Sequence, residues 1–246
     1  HGNMNGFSHQ FLHWQKMKAE GKEFKPIFGV EAYFLPSIDE WRDDYDRIKA
    51  DKKLAKSLAK EGDTSGATVE DEEASKKAIK SVVNRRRHLV LLAQNQTGLS
   101  NLFKMISESY KEENFYRYPR VDYKLLAKYS EGVIASSACL GGPYAGNYWE
   151  NRDEGPEAVM EAMRETTRRF VEVFGDRWHG ELQWNNIAEQ HELNQHIIEV
   201  CKEFGVTLIS TADSHYPNRD AWKDRELYKR LGWLGKGTPA WAEDNT

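Results

Sequence analysis

The sequence predicts an α/β fold built on a parallel sheet. Two observations lead there. From His88 onward, short runs of Val, Ile, Leu and aromatic residues alternate with longer amphipathic segments, and ionisable residues recur at or just after the C-terminal ends of the apolar runs. Size agrees: 246 residues suffice for one large α/β domain, and the two cysteines, Cys139 and Cys201, stand in no CxxC spacing that would suggest a disulfide framework or a zinc ribbon. Repeated strand-helix units leave two closures open, a barrel and an open doubly wound sheet.

Taken in order, His1-Gly2-Asn3-Met4-Asn5-Gly6 reads as a turn, and Phe7 to Glu20 as a helix closed by Gly21. Lys25 to Leu35 is an apolar, β-branched and aromatic run interrupted by Glu31, the pattern of a buried strand with a polar residue at or near its end. From about residue 38 to 87 the composition shifts to Lys, Asp, Glu, Ala and Ser, which predicts an insertion of two solvated helices, Asp39 to Lys60 and Val69 to Val83, around the loop Gly62 to Gly66. Too few apolar side chains are present to offset ordering entropy, so it is expected to pack loosely. It serves either as surface decoration or as a DNA-facing arm using Arg85, Arg86 and Arg87.

Strands are then expected at His88 to Ala93, Gly132 to Cys139, Gly180 to Trp184 and Val206 to Ala212, with helices at Leu99 to Lys111, Pro156 to Phe174 and Ala188 to Phe204. Net charge is -4 and mean hydropathy -0.78, against duplex binding by bulk electrostatics but compatible with a local basic groove. No stretch reaches the roughly 18 apolar residues of a membrane span, and nothing resembles a signal peptide, so a reducing cytoplasmic setting is expected.

Chemistry concentrates at Glu31, Cys139, Asp213 and His215, with His88 opening a strand and His1 heading the first turn. Imidazole, carboxylate and one thiol suit zinc or another divalent transition metal. In Asp213-Ser214-His215 alternate side chains point the same way in extended backbone, although a DxH pair alone is weak evidence. Other candidates read as ordinary packing: His9 and His13 lack the Glu of a protease HExxH, His191 and His196 diverge around a helix, and Cys201 lies in an apolar helix.

Several stretches, in order, resemble the PHP (polymerase and histidinol phosphatase) domain that begins bacterial C-family replicative polymerases, the DNA polymerase III alpha subunits. They are His1-Gly2-Asn3, Lys25 to Tyr33, His88 to Ala93, Tyr116 to Asp122, Glu131 to Gly142 and Asp213-Ser214-His215-Tyr216. The resemblance implies a distorted seven-stranded (β/α) barrel over residues 1–235, lacking one strand at the N-terminus and carrying the charged insertion. Residues 236–246 would form a tail leading toward a polymerase region. It also implies a cluster of two or three divalent metals, zinc first, with manganese or magnesium as alternatives, held by His1, Glu31, His88, Cys139, Asp213 and His215. Glu31, Asp213 and His215 would serve catalysis. The activity implied is 3′-5′ exonuclease or related phosphodiester hydrolysis. The implied partners are a single-stranded DNA 3′ end, met by Arg85, Arg86, Arg87 and Arg120, the rest of a polymerase chain and other replication proteins; no membrane partner is expected. A non-catalytic scaffold or docking module is the alternative. The family's opening HxH motif, the Asp after it and the Asp before His1 do not occur in this sequence. A truncated fragment is therefore expected, with an incomplete cluster that binds one metal weakly and shows little nuclease activity alone.

Overall fold

The computed structural model describes residues 1–60, 77 and 80–233. Most of the expected Val69 to Val83 helix, the Gly62 to Gly66 loop and the 236–246 tail lie outside the described residues. Helix α1 (Phe7–Ala19) precedes β1 (Gly29–Phe34) and α2 (Ile38–Lys60). Then follow β2 (Arg87–Ala93), α3 (Gln96–Ser109), β3 (Phe115–Tyr116), β4 (Tyr118–Val121), α4 (Tyr123–Tyr129) and β5 (Val133–Ser136). The rest comprises α5 (Pro143–Asn151), α6 (Pro156–Phe174), β6 (Trp178–Leu182), α7 (Ala188–Phe204), β7 (Thr207–Ser210) and α8 (Trp222–Trp233).

The strands form one seven-stranded sheet in the order β3-β4-β1-β2-β5-β6-β7. The α/β class is as expected, but the sheet is mixed. β2 runs antiparallel to both β1 and β5, while β4 with β1, β5 with β6 and β6 with β7 are parallel. The reason is the connection: between β1 and β2 the chain makes the charged excursion rather than a helix that crosses the sheet and returns in the same direction. The order ends at β3 and β7, and no ladder joins those two strands among the described residues.

Strand residues alternate between two faces. Val30, Ala32 and Phe34 of β1, Leu89 and Leu91 of β2, and Val133 and Ala135 of β5 enter a core shared with α3 to α7. At its centre Trp178 stacks on Phe170 with 4.1 Å between ring centroids, and its indole N–H donates to Tyr144 Oη at 3.0 Å. Either ring replaced by Ala would cost about 3 to 5 kcal/mol. The opposite face is mixed, carrying Glu31, Tyr33, His88 and Ser136 beside Val90, Leu92 and Ile134.

The excursion is fastened at both ends, which corrects the expectation that it packs loosely from residue 39 onward. Leu35, Ile38, Trp41 and Val82 make a second buried cluster, and Trp41 Nε1 donates to the Val82 carbonyl at 2.9 Å. One carboxylate caps two helices: Asp122 accepts from Leu125 N at 2.9 Å and from Ile38 N at 3.2 Å, stabilising the first turns of α4 and α2 together. Among the described residues no helix is long and apolar enough to cross a membrane.

Candidate metal centre

Glu31 is the third residue of β1, not its end, and shares the mixed face of the sheet with Tyr33. The antiparallel register sets His88 opposite Tyr33. Its imidazole consequently reaches back toward Glu31: Nδ1 lies 2.9 Å from Glu31 Oε1 and 3.4 Å from Cys139 Sγ. His1 approaches from the other side, Nε2 standing 2.8 Å from Glu31 Oε2. His1, Glu31 and His88 each offer a ligand atom, all within 4.8 Å of one another. Two imidazoles and a carboxylate at that spacing, with a thiol beside one imidazole, fit a single divalent transition metal.

Local backbone holds these donors in place. Gly2 donates its N–H to the Glu31 carbonyl at 2.7 Å and adopts φ +70°, where a Cβ would meet Pro119 Cγ at 2.6 Å. Only glycine carries His1 that close to β1. After β5 the chain reverses through Ala138, at φ 57°, so that Cys139 faces His88. Gly141 N donates to Cys139 Sγ at 3.4 Å, and His88 N donates to the Gly141 carbonyl at 2.8 Å. The hydrogen bond with Cys139, then that with Glu31, outweighs burial and lifts the His88 imidazole to about 9. At neutral pH the ion-free centre therefore holds a proton on His88 that a metal must displace.

Asp213 and His215 come from the segment after β7. Asp213 stands in the left-handed region at φ 44°, tolerated by its short polar side chain. Burial raises its carboxyl, Glu31 and Glu181 push in the same direction, and His215 and His88 oppose them. His215 is exposed; its Nδ1 lies 2.6 Å from the Asp213 carbonyl oxygen and 4.0 Å from Asp213 Oδ1. The structure thus brings His1, Glu31, His88 and Cys139 together and leaves both Asp213 and His215 out of the tight cluster.

The sequence reading missed Glu181. This carboxylate of β6 is 5% exposed and accepts hydrogen bonds from Ser136 Oγ, from Thr211 Oγ1 at 2.5 Å and from Gln183 Nε2 at 3.2 Å. A carboxylate within the expected strand from Gly180 to Trp184 was the available signal.

Of the expected DNA-binding arginines, Arg120 is corrected: it is 0% exposed. Its guanidinium lies 4.0 Å over Trp41 and donates to the carbonyls of Val83 at 2.6 Å, Tyr116 at 2.9 Å and Tyr118 at 3.0 Å, so its donors bind the protein's own backbone. Arg85 pairs with Asp44 at 2.8 Å, and Arg87 pairs with Glu150. Arg86 stacks on Tyr118 and Tyr33, at 4.0 and 5.1 Å from the ring centroids. A cavity of about 240 Å³ lined by Phe34, Trp41, Arg87, Tyr123 and Glu150 includes helix-side residues of the sheet but none of the donors. His9 and His13 are exposed on α1, and Cys201 is buried in the core, as the ordinary readings expected.

The PHP domain family matches residues 1–185. DNA polymerase III subunit alpha of Aquifex aeolicus is 37% identical over 218 residues, covering 89% of this chain and 15% of that protein. Its counterpart in Borreliella burgdorferi is 33% identical over 232 residues, 94% of this chain and 16% of the relative. That of Campylobacter jejuni is 31% identical over 239 residues, 96% and 16%. The chain therefore spans about one sixth or less of the length of these relatives.

Proposed function

The chain belongs to the PHP domain family, and from that premise we propose that it is the PHP portion of a DNA polymerase III alpha-like replication protein and hydrolyses phosphodiesters at a single-stranded DNA 3′ end with divalent metal. The observation that supports hydrolysis most is the convergence of His1, Glu31 and His88 within 4.8 Å, with Cys139 against His88. In this reading His1, Glu31, His88, Cys139, Asp213 and His215 form the metal set, with zinc preferred over manganese or magnesium. A divalent ion bound there lowers the pKa of its water and polarises the phosphoryl oxygens. The chain's own groups do the rest. Glu31 would orient both imidazoles, His88 would release its proton to solvent on ligating, and Asp213, through the carboxylate oxygen not given to the ion, would take the proton of the attacking water and pass it to the departing deoxyribose oxygen. His215 joins by turning from the Asp213 carbonyl.

Residues 1–235 would make up the domain and 236–246 a connection to polymerase sequence, in the cytoplasm, with the sheet as most of a distorted barrel. One observation favours a second reading, a non-catalytic scaffold or docking module: His215 is turned out of the cluster. The deciding experiment loads the purified protein with zinc or manganese and incubates it with a primer bearing a 3′ mismatch. Because the family's HxH ligands do not occur in this sequence, weak metal uptake with slow, metal-dependent trimming that disappears in Asp213→Asn is expected. Metal uptake without trimming would reject hydrolysis in favour of the scaffold.

A further inference from the structure

Three arginines precede His88, and backbone alternation sends them different ways. Arg87 turns to the helix side, where Glu150 meets it, and Arg85 reaches Asp44. Arg86 shares the mixed face with His88. Among the described residues no carboxylate pairs with it: one guanidinium nitrogen donates to the Asn84 carbonyl at 2.8 Å, and its Nε is buried without a partner. A second cation shares its platform: Arg86 and Arg120 lie over the same Tyr118 ring, 4.0 and 5.8 Å from its centroid, and burial, then the charge of Arg86, push the Arg120 guanidinium down to about 10.

The rings under Arg86 lead directly to the metal centre. Tyr33 packs edge-on against Tyr118 at 5.4 Å, stacks on His1 at 5.5 Å and lies 5.9 Å from His88. Packing over the Tyr118 ring, with Tyr33 edge-on to it, fixes the guanidinium's orientation; with Nη1 given to the Asn84 carbonyl and Nε buried, Nη2 is the donor left without a partner among the described residues. Across the mixed face stand Glu31, Glu181 and Asp213, which repel a polyanion. A nucleic-acid strand entering this face needs a fixed cation beside the donors, and Arg86 is the arginine there that no carboxylate pairs among the described residues.

Resting on the hydrolase reading, we propose that Arg86 is a substrate-positioning residue that grips a DNA phosphate next to the scissile one. The substrate class is accordingly an oligonucleotide strand with at least two phosphates, rather than a small phosphate monoester. The grip is a charge-assisted hydrogen bond from Nη2, with Tyr118 and Tyr33 as its platform.

The test measures fluorescence anisotropy of a labelled single-stranded oligothymidylate with the full 246-residue chain in EDTA, across a salt series, for wild type, Arg86→Lys, Arg86→Met and the distant Arg168→Met. Arg86→Met should weaken binding about 10-fold and reduce the salt slope by about one, Arg86→Lys should fall between, and Arg168→Met should match wild type. Thermal melting accompanies each variant. If Arg86→Met unfolds, Arg86→Lys decides: native stability with binding weakened about 3-fold or more supports the grip, and native binding overturns it. Unchanged affinity and slope in a folded Arg86→Met, or no wild-type binding at low salt, also overturns the proposal and leaves Arg86 as an aromatic staple. Because binding is read without metal, a failure to trim primers would sink the hydrolase reading while leaving this result standing. Where trimming occurs, KM for the oligonucleotide should rise in Arg86→Lys more than kcat falls.

Discussion

The two sides of the candidate centre are built differently. On the β1–β2 side the donors sit inside paired strands: Glu31 and His88 belong to a ladder with six register pairs, and His1 is strapped to the same strand through Gly2. On the β7 side Asp213 and His215 follow a strand that, among the described residues, pairs with β6 alone and is mostly exposed. Donors fixed by strand register are preorganised for an ion, whereas donors on a segment leaving an edge strand adjust when one arrives. Glu181 is the tether between the two, since its carboxylate holds Thr211, two residues before Asp213.

The contrast breaks most readily by removing one imidazole from each side. His88→Ala takes away a preorganised donor and should weaken zinc binding at least about 100-fold, beyond the loss usual for an outer partner of a ligand. His215→Ala should cost less than about 10-fold, because the ring must first leave the Asp213 carbonyl. Competition against a chromogenic chelator measures both, and equal losses would show that the two sides are equally organised.

A second way to sharpen it is pH. The His88 pKa is raised from 6.5 to about 9 in the folded, metal-free protein, so its stabilising contribution is complete below pH 6.5 and disappears as pH rises through 9. With the ring partly solvated, about 1 to 2 kcal/mol is at stake. Urea unfolding in EDTA should show lower stability at pH 9.5 than at pH 6.5, and His88→Gln should flatten the difference. A dependence that survives in His88→Gln would place the titration elsewhere.

Sequence reading succeeded where local signals were strong. Helices α6 and α7 have the expected bounds, Pro156 opening one and Gly205 closing the other around amphipathic repeats. Three helices went unread: α8 (Trp222–Trp233), and α4 and α5, whose signals were present in Asp122, which caps α4, and Pro143, in the first turn of α5, but which are short and rich in Tyr, Gly or Asn. Strand direction was not legible, because an apolar run has the same pattern in either sense. Strand bounds were not legible either: the apolar run from Lys25 to Leu35 becomes a strand only from Gly29 to Phe34, so Glu31, expected at or near an end, lies mid-strand opposite Val90. Arg120 looked like a surface cation; the carbonyls that surround it come from residues 83 to 118 and are brought together only by folding.

A smaller effect tests the tether. Thr211→Val keeps the shape and removes the hydroxyl that donates to Glu181, leaving a buried carboxylate short of one partner. A loss of about 1 kcal/mol is expected, with faster amide exchange confined to the residues around 211. Exchange that instead rises along β1 and β2 would show the two sides to be one unit.

The smallest effect concerns the turn that aims Cys139. Ala138 is held at φ 57°, a region that costs a residue with a Cβ roughly 1 to 2 kcal/mol and costs glycine little. Ala138→Gly would relieve that strain, yet glycine also enlarges the conformational freedom of the unfolded chain by about 0.4 to 1 kcal/mol. The terms nearly cancel, so stability should change by less than about 1 kcal/mol in urea unfolding. Ala138→Val faces the opposite balance. Its branched Cβ fits the left-handed region worse, and the site is 5% exposed, so the added methyls have little room. It should destabilise the protein by more than about 1 kcal/mol and move Cys139 from His88, lowering the pH at which His88 loses its proton in an NMR titration. An Ala138→Val protein with unaltered His88 titration would show that Cys139 is placed by the Gly141 and Gly142 contacts alone.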